Sequence, residues 1–366
     1  MSPKLLVISN YRDPVAPIRP EAEIFLRLAQ SGFDIWVMTP ADGEYPTKLK
    51  EAGCRIIDYL PQSKFDSEAV RRIKHCVSSE GIDIIHAFNS KAIVNAARAV
   101  WSNKKVKLLS YRGYTGNIHW YDPTLYFTYL NPRIDKMVCL AESVREQYLK
   151  NGVSPDRAIT INKGHDPSWY ANTQKAELTS LGIQPSEIVC SFVANQRTKM
   201  KGVADVVEAA ALINKEIRVK FLMIGNGLKT KAIERLVEER GVSDRMLFTG
   251  YRSDAAQLVN SSDLSLSASH FGEATQKAVI EAMQLGNPMI ITDISGNRGM
   301  VVDQESGFVI PVGSPDHIAE AVNRLAADEA LRTRMGNAAK DHIQSFLSID
   351  RSVKEYGDLY RSLVSN

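Results

Sequence analysis

Residues 264–293 read LSLSASHFGEATQKAVIEAMQLGNPMIITD. Residues 263–267 and 289–292 predict buried strands, and residues 275–285 predict a helix that ends before Gly286. A strand, a short loop and a helix in this order leave unpaired backbone N–H groups at the positive end of a helix dipole. We therefore expect the N–H groups of residues 274–276 to bind an anion.

Two carboxylates flank this predicted anion site. Glu273 would stand on the loop and Glu281 about two turns into the helix, so that the anion lies between them. This arrangement suits a sugar diphosphate, with phosphate on the amides, one glutamate on the sugar and the other on the ribose. An ordinary amphipathic helix with two exposed glutamates is the alternative, and the spacing alone leaves both open.

Strand-like and helix-like segments alternate along the whole chain, which predicts parallel sheets covered by helices. One series of strands spans residues 5–162, and a second begins at residue 188. Two series of similar size predict two Rossmann-like domains rather than one long sheet. We expect domains at 1–166 and 188–348, a polar linker at 167–187, and a terminal helical segment at 349–366.

Composition excludes several classes of protein. A chain of 366 residues with 44% hydrophobic and 24% charged residues is typical of a globular protein with two domains. A net charge of +3 is too small for a nucleic-acid-binding surface. The four cysteines are scattered, which favours reduced thiols and a cytoplasmic location. No apolar run reaches the length of about 20 residues that a membrane span requires.

The chain continues with GNP at 286–288, GNR at 296–298 and SGFVIP at 306–311. Together with Glu273 and Glu281, this ordered series resembles the C-terminal domain of the retaining family 4 glycosyltransferases. The resemblance implies the GT-B fold, in which two Rossmann-like domains face each other across a cleft. In that fold the C-terminal helix crosses back to the first domain.

The resemblance also implies a UDP-sugar or GDP-sugar donor, no cofactor and no metal ion. Acidic residues with metal-ligand spacing are not evident in the sequence either. The family's phosphate-binding cations are matched by Arg197 and Lys201 in the loop NQRTKMKG, residues 195–202. Lys201 fits the family pattern, whereas Arg197 lies one or two positions later than the family's arginine. A solvated basic loop is the alternative.

Other site residues follow from the same resemblance. Glu273 would hold the hydroxyls of the donor sugar and Glu281 those of the ribose. His86 lies in the segment DIIHAF, residues 83–88, which resembles a strand end of the family, and a buried structural histidine is the alternative there. The expected catalytic residues are Arg197, Lys201, Glu273 and His86, and the expected nucleotide-binding residues are Gly225, Gly227, Arg252, Ala274, Thr275, Gln276, Lys277 and Glu281.

Three positions depart from the family pattern. Ala274 replaces the usual glycine after the first glutamate, and a positive φ there would be strained. Phe88 replaces a second histidine of the first domain. The usual Gly-Gly loop after the first strand is replaced by NYRDPVAPIRP, residues 10–20, which three prolines would stiffen.

The first domain is expected to bind the acceptor, a glycan or lipid-linked molecule of bacterial surface polysaccharide or lipopolysaccharide synthesis. The aromatic segment 111–121 suits a saccharide, with core packing as the alternative. Basic segments at 71–75 and 104–107 suit a peripheral contact with the inner face of the membrane. The oligomeric state is not assigned.

Two other functions remain open at this stage. One is a sugar phosphorylase or nucleotide-sugar epimerase of the same fold. The other is a catalytically weak protein that binds a nucleotide sugar, which Phe88 and the proline-rich first loop favour.

Overall fold

The computed structural model describes residues 2–12, 18–116 and 118–364. Two of the three prolines of the first loop, Pro14 and Pro17, lie outside the described residues, so the expected stiffness of that loop stays a prediction. The chain divides into two compact units. The first unit comprises Met1–His165 with Leu347–Asn366, and the second comprises Asp166–Phe346.

The first unit is built on a parallel sheet whose inner strands are buried on both faces. Its strands are β1 (Lys4–Ile8), β2 (Asp34–Thr39), β3 (Arg55–Asp58), β4 (Ile84–Ala87), β5 (Lys107–Arg112), β6 (Lys136–Cys139) and β7 (Ala158–Thr160). The helices between them are α1 (Arg19–Gln30), α2 (Glu44–Glu51), α3 (Ser67–Glu80), α4 (Ser90–Ala99) and α5 (Glu142–Lys150). The strand order is β3-β2-β1-β4-β5-β6-β7.

The second unit repeats this plan. Its strands are β8 (Ile188–Val193), β9 (Val219–Ile224), β10 (Met246–Gly250), β11 (Leu264–Ser267), β12 (Met289–Thr292) and β13 (Gly307–Ile310), in the order β10-β9-β8-β11-β12-β13. Its helices are α6 (Val203–Leu212), α7 (Lys231–Glu239), α8 (Ala255–Asn260), α9 (Lys277–Gln284), α10 (Pro315–Ala327) and α11 (Glu329–Phe346).

Each sheet has one point at which the direction of strand addition reverses. In the first unit it lies between β1 and β4, and in the second between β8 and β11. Open sheets of this type bind ligands outside the carboxyl ends of the two strands at such a point. The loops that follow β8 and β11 are therefore the first place to look for a site in the second unit.

The last helix, α12 (Ile349–Val364), belongs to the first unit. Its buried face includes Tyr356 and Tyr360, whose rings lie 6.3 Å from Phe25 and from Phe33 respectively. The approach to α12 is fixed by a parallel bridge between His165 and Ser348. Gly164 is required beside this bridge, because a Cβ atom there would lie 2.1 Å from the carbonyl oxygen of Ser348.

The predicted α/β class is confirmed, and the elements predicted at 263–267, 275–285 and 289–292 agree with the structure within two residues. The sequence analysis missed β3 and α2. Only two apolar residues mark β3, which is an exposed edge strand, and Pro46 in the first turn of α2 conceals that helix. The segment 167–187, predicted to be a linker, packs against α8: Asn260 Nδ2 donates to the carbonyl oxygen of Thr173 at 2.8 Å. Within the described ranges, none of the helices is both long and apolar enough to cross a bilayer.

Candidate functional site

An ion pair joins the loops that follow β8 and β11 in the second unit. Lys201 Nζ lies 2.5 Å from Glu273 Oε1, and the two side chains are 20% and 11% exposed. Ser269 Oγ donates to the same carboxylate oxygen at 3.0 Å. Two residues that the sequence analysis assigned to one site are thus brought together at the point where the strand order reverses.

Backbone and side-chain contacts hold these two loops against each other. Gly202 allows the close approach, because a Cβ atom there would lie 2.1 Å from the carbonyl oxygen of Ala268. The backbone N–H of His270 donates to the carbonyl oxygen of Met200 at 2.8 Å. His270 Nε2 lies 2.5 Å from Asp205 Oδ2 on α6. The sequence analysis missed both members of this pair, although His270 stands only three residues before Glu273.

In the loop that follows β11, the residue with a positive φ is Gly272, with φ +80°, and not Ala274. The strain considered for Ala274 therefore does not arise. Behind the loop, a Cβ atom on Gly296 would lie 2.1 Å from the carbonyl oxygen of Glu273, which explains why the segment GNR contains a glycine.

Three backbone N–H groups precede α9. The helix begins at Lys277, two residues later than predicted, so Thr275 lies outside it. No acceptor for the N–H groups of Ala274, Thr275 and Gln276 is found in the part of the chain that the structure describes. These donors stand at the positive end of the α9 dipole, so the predicted anion site keeps its physical basis.

The side chain of Gln276 serves the fold rather than a ligand. It is buried, accepts from Ser267 Oγ at 2.8 Å and donates to Asn297 Oδ1 at 2.6 Å. Asn297 in turn donates to the carbonyl oxygen of Thr292 at 2.8 Å. This buried chain of hydrogen bonds fixes the residue that caps α9 and thereby the direction of the free N–H groups.

Glu281 lies in the second turn of α9, nearer the helix start than predicted. Its Oε1 is 3.0 Å from Lys277 Nζ, and its side chain is partly exposed. Pairs four residues apart on a helix share one face. Lys277 and Glu281 are therefore presented together, on the helix whose N-terminus carries the free donors.

Arg197 is exposed, and no carboxylate partner for it is found among the described residues. Both Gln196 and Arg197 have positive φ values, 51° and 49°, which residues with side chains adopt rarely. Strain of this kind is often kept at ligand-binding loops. Arg197 is thus available to an anion that reaches the loop.

Gly225 and Gly227 follow β9, and both have positive φ values. A Cβ atom on Gly225 would lie 1.7 Å from the carbonyl oxygen of Ala194, so the close approach of the segment after β8 requires a glycine here. Asn195 and Asn226 complete the junction: Asn195 Oδ1 accepts from the N–H of Asn226 at 2.9 Å. This bond gives a structural role to Asn195, which together with Gln196 covers the expected place of the family's arginine.

Arg252 forms a bidentate ion pair with Asp254: its Nε lies 2.8 Å from Oδ1 and its Nη2 lies 2.7 Å from Oδ2. Hydrogen bonding to Asp254 raises the pKa of Arg252, and the same bonds lower the pKa of Asp254. The neighbouring Tyr251 is 66% exposed and offers a flat face beside the β9 and β10 loops. The predicted contact of Arg252 with a nucleotide stays a prediction.

His86 lies in the core of the first unit rather than at a surface that faces solvent. Its ring is 1% exposed and lies 4.3 Å from that of Phe88, and its Nδ1 is 2.8 Å from the hydroxyl of Tyr360. Burial and, less strongly, the charge of Lys163 lower the pKa of His86 to about 3. These surroundings favour the structural alternative for His86 over the expected catalytic role.

We expect His86 to make the folded protein less stable as the pH falls. In the unfolded chain the imidazole binds a proton near pH 6.5, whereas in the folded chain it does so only at about pH 3. Between these values proton uptake favours unfolding by about 1.4 kcal/mol per pH unit. Urea unfolding of the wild type and His86→Phe at several pH values measures the two slopes, and equal slopes would contradict the prediction.

A second ion pair, missed by the sequence analysis, lies near the carboxyl ends of β1 and β7 in the first unit. Lys163 Nζ is 2.5 Å from Glu21 Oε2, and both side chains are almost entirely buried. Glu21 Oε1 accepts from Ser9 Oγ at 2.6 Å, and Lys163 Nζ lies 4.0 Å from the centre of the Tyr111 ring.

In the described ranges no three His, Cys, Asp or Glu side chains are grouped as metal ligands would be.

Comparison with known proteins gives matches in both units. Residues 22–169 match the family described as Glycosyltransferase Family 4, and residues 174–342 match the family described as Glycosyl transferases group 1. The N-acetyl-alpha-D-glucosaminyl L-malate synthase of Bacillus anthracis is 32% identical over 210 residues, which are 57% of this chain and 55% of that protein. The UDP-Gal:alpha-D-GlcNAc-diphosphoundecaprenol alpha-1,3-galactosyltransferase of Escherichia coli is 26% identical over 63% of this chain and 61% of that protein. The matched part thus spans little more than half of these relatives.

Solved structures match over nearly the whole chain. Anabaena Alr3699/HepE in complex with UDP has a TM-score of 0.77 at 18% identity and covers 98% of this chain and 100% of its own. WaaG, a glycosyltransferase involved in lipopolysaccharide biosynthesis, has a TM-score of 0.64 at 17% identity over 97% and 99% of the two chains. At such identities the likeness concerns the fold, which is GT-B.

Proposed function

Because this chain belongs to the family 4 glycosyltransferases, we propose that it moves a sugar from a nucleoside-diphosphate sugar to a glycan or lipid-linked acceptor. The proposal includes retention of configuration at the sugar and no need for a metal ion. One observation carries it. The Lys201–Glu273 pair stands beside the free N–H groups before α9, where the strand order of the second unit reverses.

Each partner of this pair can still form hydrogen bonds with a ligand. Glu273 Oε1 accepts from Lys201 and Ser269, while no hydrogen bond to Oε2 is found among the described residues. Oε2 can accept from a hydroxyl of the donor sugar. The ammonium of Lys201 has three N–H groups and uses one of them on Glu273, so the other two can bind an oxygen of the diphosphate.

Charge stabilisation is the chemistry that these residues supply. As the bond between the sugar and the diphosphate breaks, negative charge grows on the leaving phosphate. Lys201, Arg197 and the N–H groups of residues 274–276 would stabilise that charge, and fixed donors of this kind account for much of the rate in related chemistry. The leaving phosphate would take the proton of the acceptor hydroxyl, so no protein nucleophile is required.

Relatives support the acceptor class. The Escherichia coli relative is named for an acceptor that carries diphosphoundecaprenol, and two Rhizobium meliloti relatives are named for lipopolysaccharide core biosynthesis. We propose that the acceptor here also belongs to surface polysaccharide synthesis. The donor class is supported by the structural likeness to a protein solved with UDP and with UDP-glucose.

Calorimetric titration with UDP, GDP, ADP and inorganic phosphate tests the donor site. We expect one nucleoside diphosphate to bind, and Glu281→Ala to weaken it about tenfold, because a hydrogen bond from the ribose to a charged group is lost. Glu305→Ala, which removes an exposed glutamate outside the site, serves as the control. Binding of phosphate alone would favour a sugar phosphorylase, and binding of none of the four would overturn the proposal.

A further inference from the structure

Two polar side-chain contacts connect the segment 195–205 to the loop that follows β11, in the part of the chain that the structure describes. One is the ion pair of Lys201 and Glu273, which belongs to the proposed donor site. The other joins Asp205, in the first turn of α6, to His270 in the loop. The side chains of Asp205 and His270 are 17% and 27% exposed, so this second contact is also largely withdrawn from solvent. We call it the Asp205–His270 pair.

The Asp205–His270 pair has a definite hydrogen-bond direction. An ionised carboxylate only accepts hydrogen bonds, so His270 carries a hydrogen on Nε2, which donates to Asp205 Oδ2 at 2.5 Å. The backbone N–H of His270 donates to the carbonyl oxygen of Met200 at 2.8 Å. Met200 immediately precedes Lys201. His270 therefore holds the segment 195–205 at two points, on either side of Lys201 in the chain.

His270 is also close in the chain to Glu273. Only Phe271 and Gly272 lie between them. Ser269, which precedes His270, is 1% exposed, and its Oγ donates to Glu273 Oε1 at 3.0 Å. This bond spans His270 and closes that part of the loop on itself. A displacement of His270 would therefore move Glu273 with it.

The ion pair of Lys201 and Glu273 does not supply this order by itself. A lysine carries its charge at the end of a flexible stem with three rotatable donors, so one contact with a carboxylate leaves the direction of the ammonium open. The start of α6 gives little help, because its N-cap is Gly202 and no side chain caps it. The ring of His270 has only two rotatable side-chain bonds, so its contact with Asp205 connects the two segments more firmly.

We propose that the Asp205–His270 pair positions Lys201 and Glu273 for sugar transfer. It holds the loop after β11 against the segment 195–205, so that Glu273 directs the Lys201 ammonium towards the diphosphate of the donor. Neither Asp205 nor His270 is required to contact the substrate. The inference rests on the proposed function for its effect on turnover, whereas the position of Lys201 can be measured without a substrate.

Chemical labelling tests the position of Lys201 in the full chain without a donor. Acetylation by N-hydroxysuccinimidyl acetate, followed by mass spectrometry, gives the rate at each lysine. We expect His270→Ala to accelerate the labelling of Lys201 about fivefold, because the loop that carries its partner opens more often. Lys220 is the matched reference, since its side chain is 22% exposed and also pairs with a glutamate, Glu187, in the same unit. Its rate should be the same in the wild type and the variant.

Steady-state kinetics tests the effect on transfer. Asp205→Ala, His270→Ala and the double variant should each lower the turnover number by about 10- to 100-fold, because small displacements of reacting groups are costly. The three losses should be equal, because all three variants break the same contact. Asp205→Asn keeps an acceptor for the N–H of His270 and should stay within about threefold of the wild type. In a Lys201→Ala background, His270→Ala should lower turnover no more than about threefold further.

His317→Ala is the control for the loss of a histidine. Nδ1 of His317 lies 3.3 Å from Asp316 Oδ2, but this pair is exposed and joins two neighbouring residues of α10. It connects no loops of the donor site, so both the turnover number and the labelling of Lys201 should be unchanged.

Three results would overturn the inference. The first is an equal labelling rate of Lys201 in the wild type and in His270→Ala. The second is faster labelling of both Lys201 and Lys220, which would mean that the unit as a whole is loosened. The third is a loss of turnover from His270→Ala that is undiminished in the Lys201→Ala background. If no nucleoside diphosphate binds, the proposed function fails, and the labelling rates still decide whether the pair positions Lys201.

Discussion

Replacing Lys201 by alanine is expected to lower the turnover number for sugar transfer by about 100- to 1000-fold, the usual cost of one donor aimed at developing charge. Lys201 lies against Glu273 at 2.5 Å, where it can reach both the carboxylate and a diphosphate beside it. Donor affinity should change less than turnover, because the charge on the leaving phosphate is greatest in the transition state. Steady-state kinetics with the donor identified by titration measures both quantities.

Lys199→Ala is the matched control for this variant. Lys199 stands on the same loop and is exposed, so its removal changes the net charge of the loop equally without touching Glu273. We expect its turnover to stay within about threefold of the wild type, since contributions of surface charges are small. Equal losses in the two variants would mean that the loop acts through its overall charge and that the Lys201–Glu273 pair has no special part.

Replacing Lys163 by methionine is expected to lower the free energy of unfolding by about 3–5 kcal/mol, the usual cost of leaving a buried charge without its partner. The partner is Glu21, whose side chain is almost fully buried and, among the described residues, retains a hydrogen bond from Ser9. Methionine keeps most of the volume and the contact with the ring of Tyr111. Chemical denaturation followed by circular dichroism measures the loss.

Two further variants separate the effect of charge from that of packing. The double variant Glu21→Gln, Lys163→Met should recover most of the loss, because no buried charge then remains. Lys354→Met removes a lysine whose partner, Asp358, is exposed, and it should cost no more than about 0.5 kcal/mol. A double variant as unstable as Lys163→Met would contradict the electrostatic explanation.

The sequence predicted those features of the second unit that depend on local pattern. The strand, loop and helix around residues 264–285 follow from apolar runs and the stop at Gly286, and they place Glu273 and Glu281 near one helix start. The start of α9 was predicted two residues early, since its cap depends on the buried contact between Gln276 and Asn297. Sequence spacing carries no signal for a contact of that range.

Long-range contacts also decided what the sequence analysis missed or misplaced. The pair formed by Asp205 and His270 is separated by 65 residues in the chain. His86 was expected to be catalytic because the segment 83–88 resembles the family pattern, but its Nδ1 contacts Tyr360, 274 residues away, which favours the structural alternative. Residues that serve the core and residues that serve a ligand occupy similar positions at strand ends, and only the packing of distant elements distinguishes them.

The place of α12 in the fold has a consequence for how the chain is made. Residues 1–165 leave the ribosome before residues 166–346, yet their core lacks Tyr356 and Tyr360 until α12 has been synthesised. Residues 166–346 are contiguous and can fold as soon as they emerge, in keeping with the tendency of domains to fold as units during synthesis. Of the two units, the one whose synthesis begins earlier is therefore the one whose folding is completed later.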